Sequence, residues 1–127
     1  ALTPNETEIE EVLDIPLQTN ETRLIEEGEK LRKQLGLETL LVTRGSKGMM
    51  LISESGAEAI PIFGSDEVAD VTGAGDTVVA VFTTSLACGA SFSDAAHLAS
   101  IAGGIVVTKR GTATVSADEL QEAVATL

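Results

Sequence analysis

An α/β fold is predicted by three features of this 127-residue sequence. Two apolar runs of strand length, Thr39-Leu40-Leu41-Val42-Thr43 and Met49-Met50-Leu51-Ile52, flank a glycine-containing turn. Apolar residues recur at helical spacing between Glu21 and Leu35, among Glu, Lys and Arg. Two long, charge-poor segments, Asp76–Cys88 and Phe92–Val107, follow in the second half. Helices flanking strands define the class. With 43% hydrophobic and 22% charged residues the chain has the composition of one folded domain and not of a disordered one.

The elements follow in order. Asn5 to Leu13 comes after a proline and places acids in a first helical turn, where the helix dipole favours them, and Pro16 breaks it. Glu21–Leu35 is a surface helix with Leu24, Leu31 and Leu35 on its apolar face, ended by Gly36. The two strands around Arg44-Gly45-Ser46-Lys47-Gly48 read as a hairpin or tight connection, and Ala57–Phe63 as a third extended segment. Asp76–Cys88, closed by Gly89, is expected to be a helix buried on most sides. Phe92–Val107, rich in Ala and Gly, is a second one suited to close packing. Lys109 to Thr112 is a loop, and Ser116-Ala117-Asp118-Glu119 is a capping box opening a terminal helix through Leu127. Leu2-Thr3-Pro4-Asn5 reads as the exit of a strand, so the chain is expected to be a fragment of a longer one.

Twenty acidic against eight basic side chains give a net charge of −12, which argues against nucleic acid and anionic membrane as partners. No apolar run reaches the roughly 20 residues of a membrane span. The single cysteine, Cys88, excludes an intrachain disulfide and fits a reducing cytoplasm. It reads as a small core residue.

Between Val71 and Thr108 the only charged residues are Asp76 and Asp94. Asp94 lies beside Ser91 and Ser93 at a helix start and reads as a first-turn acid. Asp76 follows Gly73-Ala74-Gly75 directly. Glycine-rich backbone turning into a helix points several N–H groups at one spot, and the dipole adds positive potential there. Such a nest suits phosphate oxygens, with Gly75 expected to take a left-handed backbone and leave them room. An aspartate at its lip suits proton abstraction from a hydroxyl that attacks phosphorus. An N-terminal aspartate on an ordinary helix has the same local sequence, and Gly-x-Gly alone does not separate the two readings.

Asp70-Val71-Thr72-Gly73-Ala74-Gly75-Asp76-Thr77 resembles the second signature of the ribokinase-like (PfkB) carbohydrate kinases. Asn5-Glu6-Thr7-Glu8 resembles that family's Asn-x-x-Glu motif, and Val42 to Gly48 its strand-turn bordering the nucleotide. The stretch Gly104 to Ser116, with Asp70-Val71-Thr72, is most similar to the kinase domain of bifunctional ADP-heptose synthases. Those phosphorylate heptose 7-phosphate at the anomeric hydroxyl in lipopolysaccharide precursor synthesis.

The resemblance implies a ribokinase-like three-layer αβα fold, with residues 1–127 as its C-terminal, nucleotide-binding part and the sugar-binding half and lid upstream. It implies ATP and Mg2+ as cofactors, a phosphorylated sugar as partner, Asp76 as catalytic base, and the amides of Gly73, Ala74 and Gly75 as anion hole. Asn5 and Glu8 would organise magnesium-bound water. Thr43, Gly45 and Gly48 would border the nucleotide, with Ser100 near the adenine where relatives often carry asparagine. Asp70 and Thr72, with carbonyls near Val106 and Gly111, correspond to a monovalent-cation (K+) site, whose usual closing serine matches Val115.

Simpler readings stand beside these: Glu8 as helix surface, Thr43 and Gly45 as an ordinary strand-end turn, Lys109 and Arg110 as a solvated loop, and His97 as a packed side chain. The sequence is read as the nucleotide-binding half of an ATP-dependent sugar kinase, expected to self-associate as a homo-oligomer. The rival reading is a non-catalytic module that binds nucleotide or a partner chain.

Overall fold

The computed structural model describes residues 1–18, 20–64 and 73–127, which fall into two compact units, Ala1–Ile60 and Pro61–Leu127.

The first unit sets two helices, α1 (Glu6–Leu13) and α2 (Glu21–Gln34), with a three-stranded antiparallel sheet. Its strands are β1 (Thr39–Thr43), β2 (Met49–Ser53) and β3 (Gly56–Ile60), in that spatial order. Thr43 pairs with Met49 and Thr39 with Ser53, so the expected hairpin is present. The third strand pairs Ser53 with Gly56 and Met49 with Ile60, starting one residue before the expected segment and ending three short of Phe63. Residues 2–5 lie parallel to the free edge of β1, through bridges Leu2 to Leu40 and Asn5 to Thr43. This agrees with the strand-exit reading of that segment.

Side chains alternate along a strand, so Leu40, Val42, Met50 and Ile52 share one face. They form a core with Ile9, Leu17, Leu24 and Leu31. Leu24 and Leu31 therefore face inward as their spacing predicts, but Leu35 is 52% exposed. It lies one residue beyond the last turn, at the C-cap, where the helical face no longer aims it at the sheet.

Arg32 fixes the exit from α2 towards β1. Its guanidinium donates to Glu29 through two nitrogens, both at 2.8 Å, and to the Leu37 carbonyl at 2.8 Å.

In the second unit, α3 (Ala74–Ala87), α4 (Phe92–Val107) and α5 (Ala117–Ala125) pack in sequence. α4 has the predicted bounds, while α5 ends two residues earlier than expected. The expectation that α3 is buried on most sides is corrected. It buries only a stripe of Val78, Phe82 and Ser85, and Val79 is 41% exposed. The deeply buried helix is α4, through Ala95, Ala96, Ala99, Ile101, Ala102, Gly103 and Val106. Its small residues let neighbours approach closely: a Cβ on Gly103 would stand 3.1 Å from Val78 Cγ2. Cys88 is exposed at the end of α3, and His97 is exposed on α4, against the expectation that both pack inward. On an alanine-rich helix small side chains fill the buried face, and His97 takes the other one.

The hydrogen bond from Arg32, against a smaller opposing effect of burial, carries the Glu29 carboxyl from 4.5 down to about 2. Folding thus favours the ionised form. Its contribution to stability is complete above pH 4.5 and is lost as pH falls towards 2. Urea titrations across that range should show stability falling with acid, and Glu29→Gln should flatten that part of the profile. An NMR titration placing Glu29 at an ordinary glutamate pKa would contradict this.

Candidate functional site

The predicted site residues of the first unit converge where the chain enters α1 and leaves β1. Asn5 is the N-cap of α1, and its side-chain oxygen accepts from the Glu8 amide at 2.8 Å. Glu8 Oε2 in return accepts from the Asn5 amide at 2.8 Å. The Asn-x-x-Glu pair is therefore a reciprocal capping box. This arrangement occupies one oxygen of each side chain and fixes the other Glu8 carboxylate oxygen in direction. Thr43, at the end of β1, donates its amide to the Pro4 carbonyl at 2.9 Å. The end of β1 and the capping box are thus held together by backbone.

Gly45–Lys47 forms a single 3₁₀ turn that closes on Gly48, whose amide donates to the Gly45 carbonyl at 3.1 Å. Both glycines have positive φ, 57° and 82°, a backbone that other residues adopt at a cost. Gly45 is exposed, with nothing within 4 Å of where a Cβ would sit. The turn is open to a ligand's approach from that side.

One charged residue here was not singled out from the sequence. The Arg44 side chain is only 4% exposed, yet it carries a full charge. Its Nε lies 2.6 Å from Glu6 and a terminal nitrogen 3.1 Å from Glu21. Burial alone lowers the guanidinium pKa, but the hydrogen bonds to Glu6 and Glu21 outweigh it and raise it above the ordinary value. The available signal was indirect: glutamates opening two successive helices, and one arginine in the turn that follows.

In the second unit, Gly73 is the N-cap of α3, with φ 80°. Helical backbone starts at Ala74, so Gly75 and Asp76 lie within the first turn. The expectation of a left-handed Gly75 is therefore corrected, because the left-handed residue is Gly73. The first intrahelical bond runs from the Thr77 amide to the Gly73 carbonyl at 3.0 Å. The amides of residues 73–76 precede it, and Gly73 has no side chain with which to cap them. The Asp76 amide thus joins the three expected donors. A Cβ on Gly75 would meet nothing within 4 Å, so the space expected there for an anion is open.

The Asp76 carboxylate is exposed on that turn and makes no side-chain hydrogen bond or ion pair among the described residues. Ser100, on α4, donates its hydroxyl to the Pro61 carbonyl at 2.7 Å, leaving its oxygen lone pairs available. Asp70 and Thr72 lie outside the described residues. Of the groups near the expected cation site, the Val106 carbonyl accepts from the Lys109 amide at 3.0 Å. Ser116 caps α5 through the Glu119 amide at 3.1 Å. Lys109 is not a solvated loop residue. It donates to Thr114 O and to Glu119, both at 2.7 Å, and holds the Glu119 carboxyl below its ordinary pKa. No group of three potential metal-ligating side chains occurs among the described residues. No described helix is long and apolar enough to cross a membrane.

The fold and this pair of sites define a ribokinase-like carbohydrate-kinase class of α/β protein. Residues 1–119 match the pfkB family carbohydrate kinase pattern, and the chain belongs to that family. It is 50% identical over 123 residues to the Bifunctional protein HldE of Alcanivorax borkumensis, covering 97% of this chain and 25% of that protein. It spans about a quarter of the length of the curated relatives it matches. Among solved structures, Arabidopsis thaliana ribokinase, complexed with ribose and ATP, superposes with TM-score 0.86 at 28% identity. That match covers 97% of this chain and 40% of the ribokinase. Escherichia coli phosphofructokinase-2, in complex with potassium, shares the fold with TM-score 0.88 at 21% identity, covering 98% of this chain and 40% of its own.

The two glycines of the signature respond in opposite ways to the same substitution. Gly73→Ala forces a left-handed alanine and should destabilise by about 1–2 kcal/mol. Gly75→Ala, in an exposed helical position, should stabilise by about 0.5–1 kcal/mol. Denaturant midpoints of the two variants moving in the same direction would contradict the placement of the helix start.

Proposed function

We propose that the chain is the nucleotide-side part of an ATP-dependent carbohydrate kinase whose acceptor is a sugar phosphate. D-glycero-D-manno-heptose 7-phosphate, phosphorylated at the anomeric hydroxyl, is the acceptor implied by the resemblance of Gly104 to Ser116. The observation that carries the reading is Asp76, an exposed carboxylate on the first turn of a helix whose N-cap is a left-handed glycine.

In this reading the sugar O–H gives its proton to an Asp76 carboxylate oxygen as that hydroxyl oxygen bonds to the γ-phosphorus. The bond from the γ-phosphorus to the bridging oxygen breaks, and ADP leaves with the electron pair. The amides of residues 73–76 donate to the oxygens on which charge develops. Thr43, Gly45 and Gly48 line the nucleotide's edge, and Ser100 presents a hydroxyl oxygen towards the adenine.

Magnesium keeps most of its waters and needs only one or two carboxylates beside the phosphates. The directed oxygen of Glu8 and its partner Asn5 suit such a water-mediated site without a larger acidic cluster. When bound, Mg2+ neutralises phosphate charge. The same reading assigns K+ to Asp70 and Thr72, places the sugar-binding residues outside these 127, and takes the working enzyme to be a cytoplasmic homo-oligomer.

In the complete enzyme, Asp76→Asn should lower kcat by about 10²–10⁴ while ATP affinity stays nearly unchanged. Turnover within a factor of about three of the unaltered enzyme would remove Asp76 from the chemistry. The 127-residue chain alone should bind ATP weakly and phosphorylate no sugar. Incubating it with magnesium-ATP and heptose 7-phosphate tests this, and bisphosphate formed at an ordinary kinase rate would place the acceptor site within these residues. Loss of activity from the complete enzyme as well would favour the rival reading of a non-catalytic binding module.

A further inference from the structure

Arg44 occupies the junction of everything the first unit contributes. Its amide donates to the Gly48 carbonyl at 2.9 Å, and its carbonyl accepts from the Lys47 amide at 3.1 Å, so its backbone closes the Gly45–Gly48 turn from both sides. Its buried side chain reaches the first turns of both helices, through Glu6 at 2.6 Å and Glu21 at 3.1 Å. Glu6 directly follows Asn5, the N-cap that forms the capping box with Glu8. The turn has no other ion pair among the described residues: Lys47 is exposed and Ser46 is uncharged. A glycine-flanked turn has wide conformational freedom, and a two-carboxylate clamp on its first residue removes much of it.

We propose that Arg44 is a positioning residue for the nucleotide, holding the Gly45–Gly48 turn in fixed register with the Asn5–Glu8 motif. The inference rests on the kinase reading above. The Arg44 guanidinium is taken up by its two carboxylates and acts through the turn. Its contribution is to ATP binding in the ground state and not to the proton transfer at Asp76, so its loss shifts KM more than kcat.

The test uses the complete kinase with steady-state kinetics in both substrates. Arg44→Met should raise KM for ATP about tenfold, with kcat and the sugar KM within about twofold. Arg44→Lys keeps one point charge but not the fork that meets two carboxylates, and should raise KM for ATP about threefold. A role in stability alone would lower the melting temperature and leave KM for ATP where it was. That result in either variant overturns the proposal, and Arg44→Lys decides if Arg44→Met does not fold. Absence of ATP-dependent sugar phosphorylation by the unaltered enzyme overturns the kinase reading, and the inference falls with it. Normal activity with an unmoved ATP KM overturns Arg44's role alone.

Discussion

A buried guanidinium with two carboxylate partners organises the first unit. A charge as enclosed as that of Arg44 is tolerable only when paired and hydrogen-bonded. Glu6 and Glu21 satisfy it from the first turns of α1 and α2. Acids at those positions also meet the positive ends of the helix dipoles, so each glutamate serves its own helix and the distant arginine together. The geometry of the β1 exit, the entry to α1 and the start of α2 is therefore one linked constraint. The capping box of Asn5 and Glu8 and the glycine-flanked turn inherit their positions from it.

The second unit is organised differently. Its centre is α4, whose small side chains let α3 lie close, and the single stripe of Val78, Phe82 and Ser85 supplies the other side of that contact. α3 is left with its first turn exposed. A helix start in that condition presents a carboxylate and several amide donors together, without the desolvation that would make an isolated aspartate costly. The loop after α4 is tied by Lys109 to the capping box of α5, which uses one of the chain's few basic residues for local structure.

Much of this was legible in the sequence because the signals were local. Asn5 with Glu8 and Ser116 with Glu119 announce helix starts by composition and spacing. Thr39–Thr43 and Phe92–Val107 have the bounds that apolar continuity suggests. The family signature directed attention to Asp76, which lies at a helix start as expected. The unread features depend on tertiary placement. Two charge-poor helices look alike in sequence, and only packing makes α4 the buried one and leaves α3 largely open. The exposure of Leu35, Cys88 and His97 has the same origin. Which of the two signature glycines turns left-handed depends on where the helix begins, a matter of two residues. Arg44 carries no local signal because its partners stand 38 and 23 positions upstream.

That separation bears on the order in which the first unit assembles. β1, β2 and β3 form an up-and-down meander with short connections, so their pairing closes only small loops. Seating residues 2–5 beside β1 requires closing a loop that contains both helices, a slower and entropically costlier event. During synthesis Glu6 and Glu21 emerge before Arg44, and the arginine that unites them arrives only with the hairpin. Until then, the glutamates repel each other in a strongly acidic segment. Completion of the hairpin offsets that repulsion, because Arg44 attracts both carboxylates, and a late local step fastens helix starts that precede it in the chain.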